Sequence, residues 1–243
     1  MKKNEMTEQY KLILGDCLEV MKDISDNSID LILTDPPYKV TSRGNAGNSG
    51  GMLQKEINIK GQVFEHNDIE MKDYIPELYR ILKEDSHCYM MTNHINLYEM
   101  LTITQQVGFH FTKCLIWNKG NKIMGQAYMS QFEYILFLTK GKYKLINNCG
   151  TPDILDVPNK KVKDILGENR HDTEKPVELM EILINNSSKK GEVVLDMFMG
   201  SGSTGVAAVR NERKFIGIEI DENYFNIAKK RLENANYKQL KLF

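Results

Sequence analysis

The segment LILTDPPYKV, residues 31–40, places chemically capable groups at the end of an apolar strand. Asp35 offers a carboxylate, and the backbone carbonyl of Pro36 offers a second acceptor beside it. Pro36 and Pro37 hold the backbone extended and remove competing N–H donors. Two such acceptors can take both N–H bonds of an amine attached to an aromatic ring, which localises the amine lone pair for attack on an electrophile. Tyr38 adds a ring face on which an extruded base can stack.

A second informative segment is DMFMGSGSTG, residues 196–205, because the first one alone also fits an ordinary strand and Pro-Pro turn. Gly200, Gly202 and Gly205 spell G-x-G-x-x-G between a predicted strand and a predicted helix, and Glu219 ends the next strand. Glycines there let a ligand approach the backbone at a helix N-terminus. The pattern also fits a nicotinamide site. However, only one strand and one helix follow the loop, too few to complete a doubly wound sheet.

Asp196, directly before the glycines, favours a ligand that carries positive charge. An anion at this place would repel a pyrophosphate. S-adenosylmethionine has a sulfonium, an α-amino group and no phosphate, and Glu219 can accept hydrogen bonds from both of its ribose hydroxyls. The sequence therefore favours S-adenosylmethionine as the ligand of this loop.

The hydrophobic pattern alternates strands with helices, which predicts the α/β class with a doubly wound, mostly parallel sheet of the Rossmann-like type. Strands are predicted at 11–16, 28–35, 87–92, 111–118, 132–139, 192–198 and 214–220. Helices are predicted at 17–24, 71–82, 95–107, from Pro176 onward, at 203–211, and at 222–234 with Asp221 as its cap. Strands that precede the glycine loop must complete the sheet. The glycine-loop strand is therefore expected mid-sheet, in a circularly permuted order.

Composition excludes few classes of protein but indicates the compartment and the kinds of partner to expect. The 243 residues are 41% hydrophobic and 27% charged, with a net charge of −1. No apolar run approaches membrane-spanning length, and four scattered cysteines signal neither a disulfide framework nor a metal site, so a cytoplasmic protein without membrane contact is expected. Charge is uneven, since residues 119–163 hold eight lysines against three acids. A solvated lysine-rich face explains that excess as well as a nucleic-acid partner does.

The chain resembles the beta-class amino-methylating DNA methyltransferases, the adenine-N6 and cytosine-N4 enzymes in which D-P-P-Y precedes F-x-G-x-G. The likeness covers nearly the whole chain and follows the family's order through GDCLEVM, LIWNK, FEYILFLTK, HDTEKPVELMEILI, DMFMGSGSTG and FIGIEIDENYF. It implies a catalytic segment of Asp35, Pro36, Pro37 and Tyr38. An aspartate in the first position usually accompanies adenine methylation in this family, and a serine cytosine methylation.

The resemblance also implies the residues that hold S-adenosylmethionine. Asp16 would bond its adenine amine, Thr173 and Lys175 would lie near its methionine end, and Phe198 would lie beside it. Ser203 and Thr204 would lie near its carboxylate. The remaining members of the implied site are His171, Asp196, Gly200, Ser201, Gly202 and Glu219, and no metal is implied.

The expected organisation is a single catalytic domain, residues 1–243, that acts on double-stranded DNA. Residues 39–67 are expected to form a mobile loop that contacts DNA, and residues 141–170 a small target-recognition insert. A homodimer and a cognate restriction endonuclease are partners that the resemblance leaves open. Cytosine-N4 methylation, methylation of RNA or a protein amide, and a DNA-binding regulator without turnover are the alternative functions.

Overall fold

The computed structural model describes residues 3–37, 69–123, 128–159 and 174–240. Within these ranges a single mixed sheet forms the centre of the molecule. Its strands are β1 (Lys3–Met6), β2 (Tyr10–Leu14), β3 (Ile29–Thr34), β4 (Leu82–Thr92), β5 (His110–Ile123), β6 (Ser130–Lys140), β7 (Ile154–Asp156), β8 (Val193–Asp196) and β9 (Lys214–Glu219). Their order across the sheet is β1-β2-β9-β8-β3-β4-β6-β5-β7.

The five strands β2, β9, β8, β3 and β4 run parallel to one another, so their carboxyl ends meet at one edge of the sheet. β6 runs antiparallel to β4, and β5 antiparallel to β6, so the start of β6 and the end of β5 reach the same edge. We call this the carboxyl edge. In sheets of this kind ligands bind beyond the carboxyl ends of the strands.

Six helices cover the two faces of the sheet over the described residues. One face carries α1 (Cys17–Met21), α2 (Met71–Ile81) and α3 (Leu97–Val107), with Tyr74, Leu78 and Met100 among its fully buried side chains. The other carries α4 (Val177–Ser187), α5 (Ser203–Arg210) and α6 (Glu222–Leu240), whose Leu183 and Phe225 are buried against it. Coverage of both faces explains the continuous apolar runs within β3, residues 31–33, and within β8, residues 193–195.

The predicted α/β class with a mostly parallel sheet is confirmed. β8 lies between β9 and β3, which is the mid-sheet position expected for the glycine-loop strand. The circular permutation itself stays a prediction. Asp221 caps α6 as expected, because its Oδ1 accepts hydrogen bonds from the backbone N–H groups of Asn223 and Tyr224 at 2.7 and 3.1 Å. Among the described residues no helix is both long and apolar enough to cross a lipid bilayer.

The described part of the predicted insert, residues 141–159, packs against the body of the protein. β7 pairs in parallel with β5, and Ile146 packs against the hydrophobic core on the face of the sheet that carries α4. The backbone N–H of Asn147 donates to the carbonyl of Asn186 at 2.7 Å, and its side chain donates to the carbonyls of Asn185 and Ser188. Residues 160–170 and the predicted loop 39–67 lie outside the described residues.

Candidate active site

Three carboxylates lie at the carboxyl edge, on three neighbouring strands. Asp35 follows the last residue of β3, Asp196 is the last residue of β8, and Glu219 is the last residue of β9. A hydrogen bond ties the first two strands together there, because the Thr34 hydroxyl donates to Asp196 Oδ1 at 2.8 Å. The segment predicted to do chemistry on an amine is thus fixed beside the glycine loop.

The glycine loop between β8 and α5 requires glycine for two separate reasons. Gly200 and Gly202 have φ values of +50° and +82°, in the left-handed region that other residues avoid. A Cβ on Gly202 would lie 2.9 Å from the Cβ of Ala228 on α6, so this glycine lets α6 approach the loop. A Cβ on Gly200 would meet nothing within 4 Å. Gly200 is therefore the glycine with open space beside it.

Asp196 is buried, and its carboxylate is hydrogen-bonded to nearby side-chain and backbone groups. It accepts hydrogen bonds from Thr34, from the backbone N–H of Phe198 at 3.1 Å, and from the side chain of Thr204 at the start of α5. Burial raises the pKa of this carboxyl to about 6, although the three hydrogen bonds oppose the rise. A cation bound nearby would favour its ionised form.

Glu219 holds the glycine loop and the following turn at once. Its Oε2 accepts from the backbone N–H of Gly200 at 2.8 Å, and its Oε1 accepts from those of Ile220 and Asp221 at 2.9 Å each. Burial raises the pKa of this carboxyl, and the backbone hydrogen bonds oppose that rise. Carboxylate oxygens have further lone pairs, so ribose hydroxyls can still donate to them.

Asp35 has two carboxylate oxygens in different states. Oδ2 forms an ion pair with the Lys175 ammonium. Oδ1 is buried and has no hydrogen-bond partner within the described part of the chain. Burial raises the pKa of Asp35, Lys175 opposes the rise, and Glu133 adds to it. A buried acceptor without a donor is costly in a folded protein, so Oδ1 fits a donor that arrives with the substrate.

Glu133 on β6 and Lys119 on β5 extend this cluster, and the sequence analysis did not single out either. Lys119 Nζ lies 2.9 Å from Glu133 Oε1, and Lys175 Nζ lies 3.4 Å from Glu133 Oε2. Both ammonium groups lie over the ring of Trp117, at 5.7 and 5.9 Å from its centroid. Trp117 is buried, as its position in an apolar strand predicts. The signal for Glu133 was present as the single acid within the apolar run FEYILFLT.

The other predicted site residues fall into three groups, namely those of the glycine loop, Asp16 before α1, and those around the two prolines and in the H-x-T-x-K-P segment. Phe198 is half-buried with its ring edge-on to Tyr74, at a centroid distance of 5.4 Å. Arg231 of α6 donates to the carbonyl and hydroxyl of Ser201 and, at 3.4 Å, to the hydroxyl of Ser203. Asp16 lies two residues after the end of β2 and caps α1, accepting from the backbone N–H of Leu18 at 2.8 Å.

The third group concerns the residues around the two prolines and the H-x-T-x-K-P segment. Pro36 is buried and Pro37 half-buried, directly after Asp35. Tyr38, His171 and Thr173 lie outside the described residues. Over the described ranges no cluster of three or more His, Cys, Asp or Glu side chains is arranged to hold a metal ion.

Comparison with known proteins decides the family to which this site belongs. The family model described as DNA methylase, for N6 and N4 methyltransferases, matches residues 29–230. The chain belongs to this N6/N4 DNA methylase family. It is an amino-methylating DNA methyltransferase by descent, and the sequence-based assignment is confirmed.

Individual members of the family align along most of the chain. Type II methyltransferase M.HinfI of Haemophilus influenzae is 31% identical over 255 aligned positions, which cover 96% of this chain and 70% of that protein. Type II methyltransferase M2.DpnII of Streptococcus pneumoniae is 31% identical, covering 95% of this chain and 94% of that one. The crystal structure of the M1.HpyAVI–SAM complex superposes with a TM-score of 0.66 at 25% identity, covering 92% of this chain and 100% of that one.

Proposed function

We propose that this protein transfers a methyl group from S-adenosylmethionine to the N6 amine of adenine at a specific site in duplex DNA. Asp35 Oδ1 carries the proposal. It is a buried acceptor without a donor among the described residues, directly after β3, whose last residue Thr34 is hydrogen-bonded to Asp196 on the glycine-loop strand. Membership of the N6/N4 DNA methylase family supplies the reaction class, transfer of a methyl group to an exocyclic amine.

The carboxyl edge fits S-adenosylmethionine in shape and in charge. Gly200 leaves open space beside the loop. The Glu219 carboxylate holds the loop by accepting from the backbone N–H of Gly200 and keeps further lone pairs for ribose hydroxyls. Asp196, with a pKa raised to about 6, would become more readily ionised beside a cation. When bound, this donor supplies an electrophilic methyl group on a positively charged sulfur.

The residues after β3 act on the amine of the target base. An exocyclic amine is a poor nucleophile because its lone pair is delocalised into the ring. Asp35 Oδ1 and the Pro36 carbonyl would accept its two N–H bonds, which localises the lone pair on nitrogen. The hydrogen bond to Asp35 is charge-assisted, and it strengthens as positive charge develops on the amine. The base must leave the duplex to reach them, since its amine is inaccessible inside the stack.

Adenine rather than cytosine is proposed from the aspartate at the first position of the D-P-P-Y segment. Cytosine-N4 is the alternative within the family, since both bases present an exocyclic amine to the same acceptors. A DNA-binding regulator without turnover is disfavoured, because Asp35, Asp196, Glu219 and the glycine loop keep a mutually supported geometry.

The experiment is methylation of mixed-sequence duplex DNA with labelled S-adenosylmethionine, followed by hydrolysis to nucleosides and chromatography. Label in N6-methyladenine supports the proposal, and label in N4-methylcytosine would replace it with the alternative. RNA and protein substrates incubated in parallel test the remaining enzyme classes. Sequencing of methylated bases in DNA from cells that express the chain would give the recognised site.

Two partner predictions extend the proposal. The first is a restriction endonuclease that cuts the same site, and it is tested by whether expression of the chain protects plasmid DNA against that nuclease. The second is a homodimer, which sedimentation equilibrium would detect. An active preparation that sediments as a monomer would contradict the second prediction.

A further inference from the structure

Four charged side chains form a continuous chain that leads away from the catalytic carboxylate. Asp35 pairs with Lys175, Lys175 with Glu133, and Glu133 with Lys119. Their side chains are largely shielded from water, with exposed fractions of 28%, 12%, 17% and 9% in that order. Shielded charges are stable only when they are paired, so each member depends on its neighbours.

Lys175 is fixed from several sides by parts of the chain that are distant in sequence. Its ammonium lies between Asp35, after β3, and Glu133, on β6. The ring of Trp117 on β5 lies beneath it, and Trp117 is itself held by a 2.8 Å hydrogen bond from its indole N–H to the Val157 carbonyl. Pro176, the next residue, is the N-cap of α4 and restricts the backbone that carries Lys175. The ammonium is therefore held in one place.

This arrangement gives the two oxygens of Asp35 separate tasks. Lys175 occupies Oδ2, whereas Oδ1 is buried without a donor in the described part of the chain. The target amine can donate to Oδ1 without displacing Lys175. We propose that Lys175 is a positioning residue, which keeps Asp35 ionised and turns Oδ1 toward the target amine.

The charges that face Asp35 make this role necessary. Burial raises the pKa of Asp35 and Glu133 raises it further, while Lys175 is the strongest opposing influence and Lys119 a weaker one. Asp196 on β8 and Tyr74 on α2 also interact with Asp35 electrostatically. Without Lys175, the pKa of the Asp35 carboxyl would rise further, and a larger fraction of it would be protonated at a given pH. A protonated carboxyl would donate its O–H to the amine lone pair and block the very electrons that must attack the methyl group.

The inference rests on the proposed function, and its first test is the pH profile of methyl transfer. Single-turnover rates of Lys175→Gln, Lys175→Arg and the unmodified protein are measured on duplex DNA from about pH 5 to about pH 9. In Lys175→Gln the acidic limb of the profile should move up by about one to three pH units, the usual effect of losing an adjacent opposite charge. In Lys175→Arg, which keeps the positive charge, the acidic limb should lie close to that of the unmodified protein. Lys113→Gln, which removes an exposed lysine on β5 paired with Asp153, should leave the profile unchanged.

A second test measures the effect of the same ion pair on thermal stability, in the absence of methyl donor and DNA. Lys175→Gln should lower the unfolding temperature, and the deficit should grow as pH rises from about 5 to about 8, because Asp35 must then ionise without a partner. The double variant Asp35→Asn with Lys175→Gln should remove the part of this pH dependence that is due to Asp35, since position 35 then carries no titratable group and Glu133 keeps Lys119 as its partner.

The two tests separate failure of the inference from failure of the proposed function. An acidic limb that does not move in Lys175→Gln, in a protein that methylates DNA, overturns the positioning role. A limb that stays in place while stability falls makes Lys175 a structural residue only, and this also overturns it. Absence of methyl transfer by the unmodified protein overturns the proposed function instead. A stability deficit that does not depend on pH would then overturn the inference as well.

Discussion

At the scale of single residues, two aspartates at the ends of adjacent strands are given different tasks by their surroundings. Asp196 Oδ1 accepts from Thr34 and the Phe198 backbone, and the Thr204 side chain donates to the same carboxyl, so Asp196 fixes the loop. Asp35 keeps one oxygen open and pairs the other with Lys175. An amide could replace the first carboxyl in most of its hydrogen bonds. It could not replace the second, because an amide lacks the charge.

We predict that Asp35→Ala abolishes methylation and leaves S-adenosylmethionine binding largely intact. Loss of a charge-assisted contact that strengthens in the transition state costs about 3 kcal/mol or more, which is a rate loss of about 100-fold or greater. Methyl transfer and calorimetric donor binding are measured on the same preparation. Near-normal turnover of the purified variant would remove Asp35 from the catalytic role.

We predict that donor binding tightens as pH rises through about 6, because Asp196 ionises there and a cationic ligand favours the ionised carboxyl. The sign for the free protein is opposite. Its folded-state pKa lies above the unfolded value, so the stability that protonated Asp196 contributes is lost as pH rises toward about 6. Asp196→Asn keeps acceptors for Thr34 and should flatten the pH dependence, apart from a residual part due to Glu219. Calorimetry at several pH values measures it, and an equally steep profile in Asp196→Asn would contradict the assignment.

At the scale of elements, the glycine loop connects β8 to α5 and packs closely against α6. We predict that Gly202→Val weakens donor binding and lowers stability, because a Cβ there meets Ala228 at 2.9 Å and the residue must hold φ at +82°. Gly200→Ala is the matched comparison, since it meets no atom within 4 Å and pays only for its positive φ of +50°, about 1 kcal/mol. Thermal unfolding and calorimetry report both effects. Equal stability losses in the two variants would contradict the role of α6.

Glu219 supports the same loop from the neighbouring strand. We predict that Glu219→Ala weakens donor binding by two routes, loss of an acceptor for the ribose hydroxyls and release of the Gly200 backbone N–H. Glu219→Gln keeps one acceptor oxygen and should bind the donor with intermediate affinity. Calorimetry that gave unchanged affinity for Glu219→Ala would show that the ribose lies elsewhere.

Periodicity predicted the buried elements well and the edges poorly. β3, β8 and α4 are recognisable because burial imposes apolar runs or a three-to-four repeat on them. β1 and β7 were not predicted, since each is a strand of four or three residues at an end of the sheet. Short strands at the ends of a sheet bury few side chains, so they leave no clear hydrophobic pattern in the sequence.

The candidate site shows the same division between local and tertiary information. Asp35, Asp196 and Glu219 were predictable because each follows or ends an apolar strand. The pairing of Lys175 with Asp35 was not, since 140 residues separate them and only the folded sheet brings them together. The resemblance to the methyltransferase family implies a place for Lys175 near the donor's methionine end, and that role stays a prediction beside the contact with Asp35.

At the scale of the whole molecule, a net charge of −1 must coexist with binding to a polyanion. Affinity for DNA then depends on where the lysines lie. Lys113, Lys190 and Lys214 lie away from the carboxyl edge, near the start of β5, before β8 and at the start of β9. Lys160, Lys161 and Lys163 follow directly after 141–159, which packs beside β5, and belong to the most basic part of the sequence.

We predict that neutralising Lys160, Lys161 and Lys163 together, as glutamines, weakens DNA binding and makes it less dependent on salt. Each lost phosphate contact should reduce the slope of log affinity against log salt by up to about 0.9, because fewer counterions are released. The methylated sequence should stay the same, since lysines of this kind contact phosphates and base edges are read by other groups. The control replaces Lys113, Lys190 and Lys214 in the same way and removes the same total charge from the opposite edge. If both triple variants change the slope equally, only net charge matters; if the first leaves it unchanged, recognition must be sought in residues 39–67.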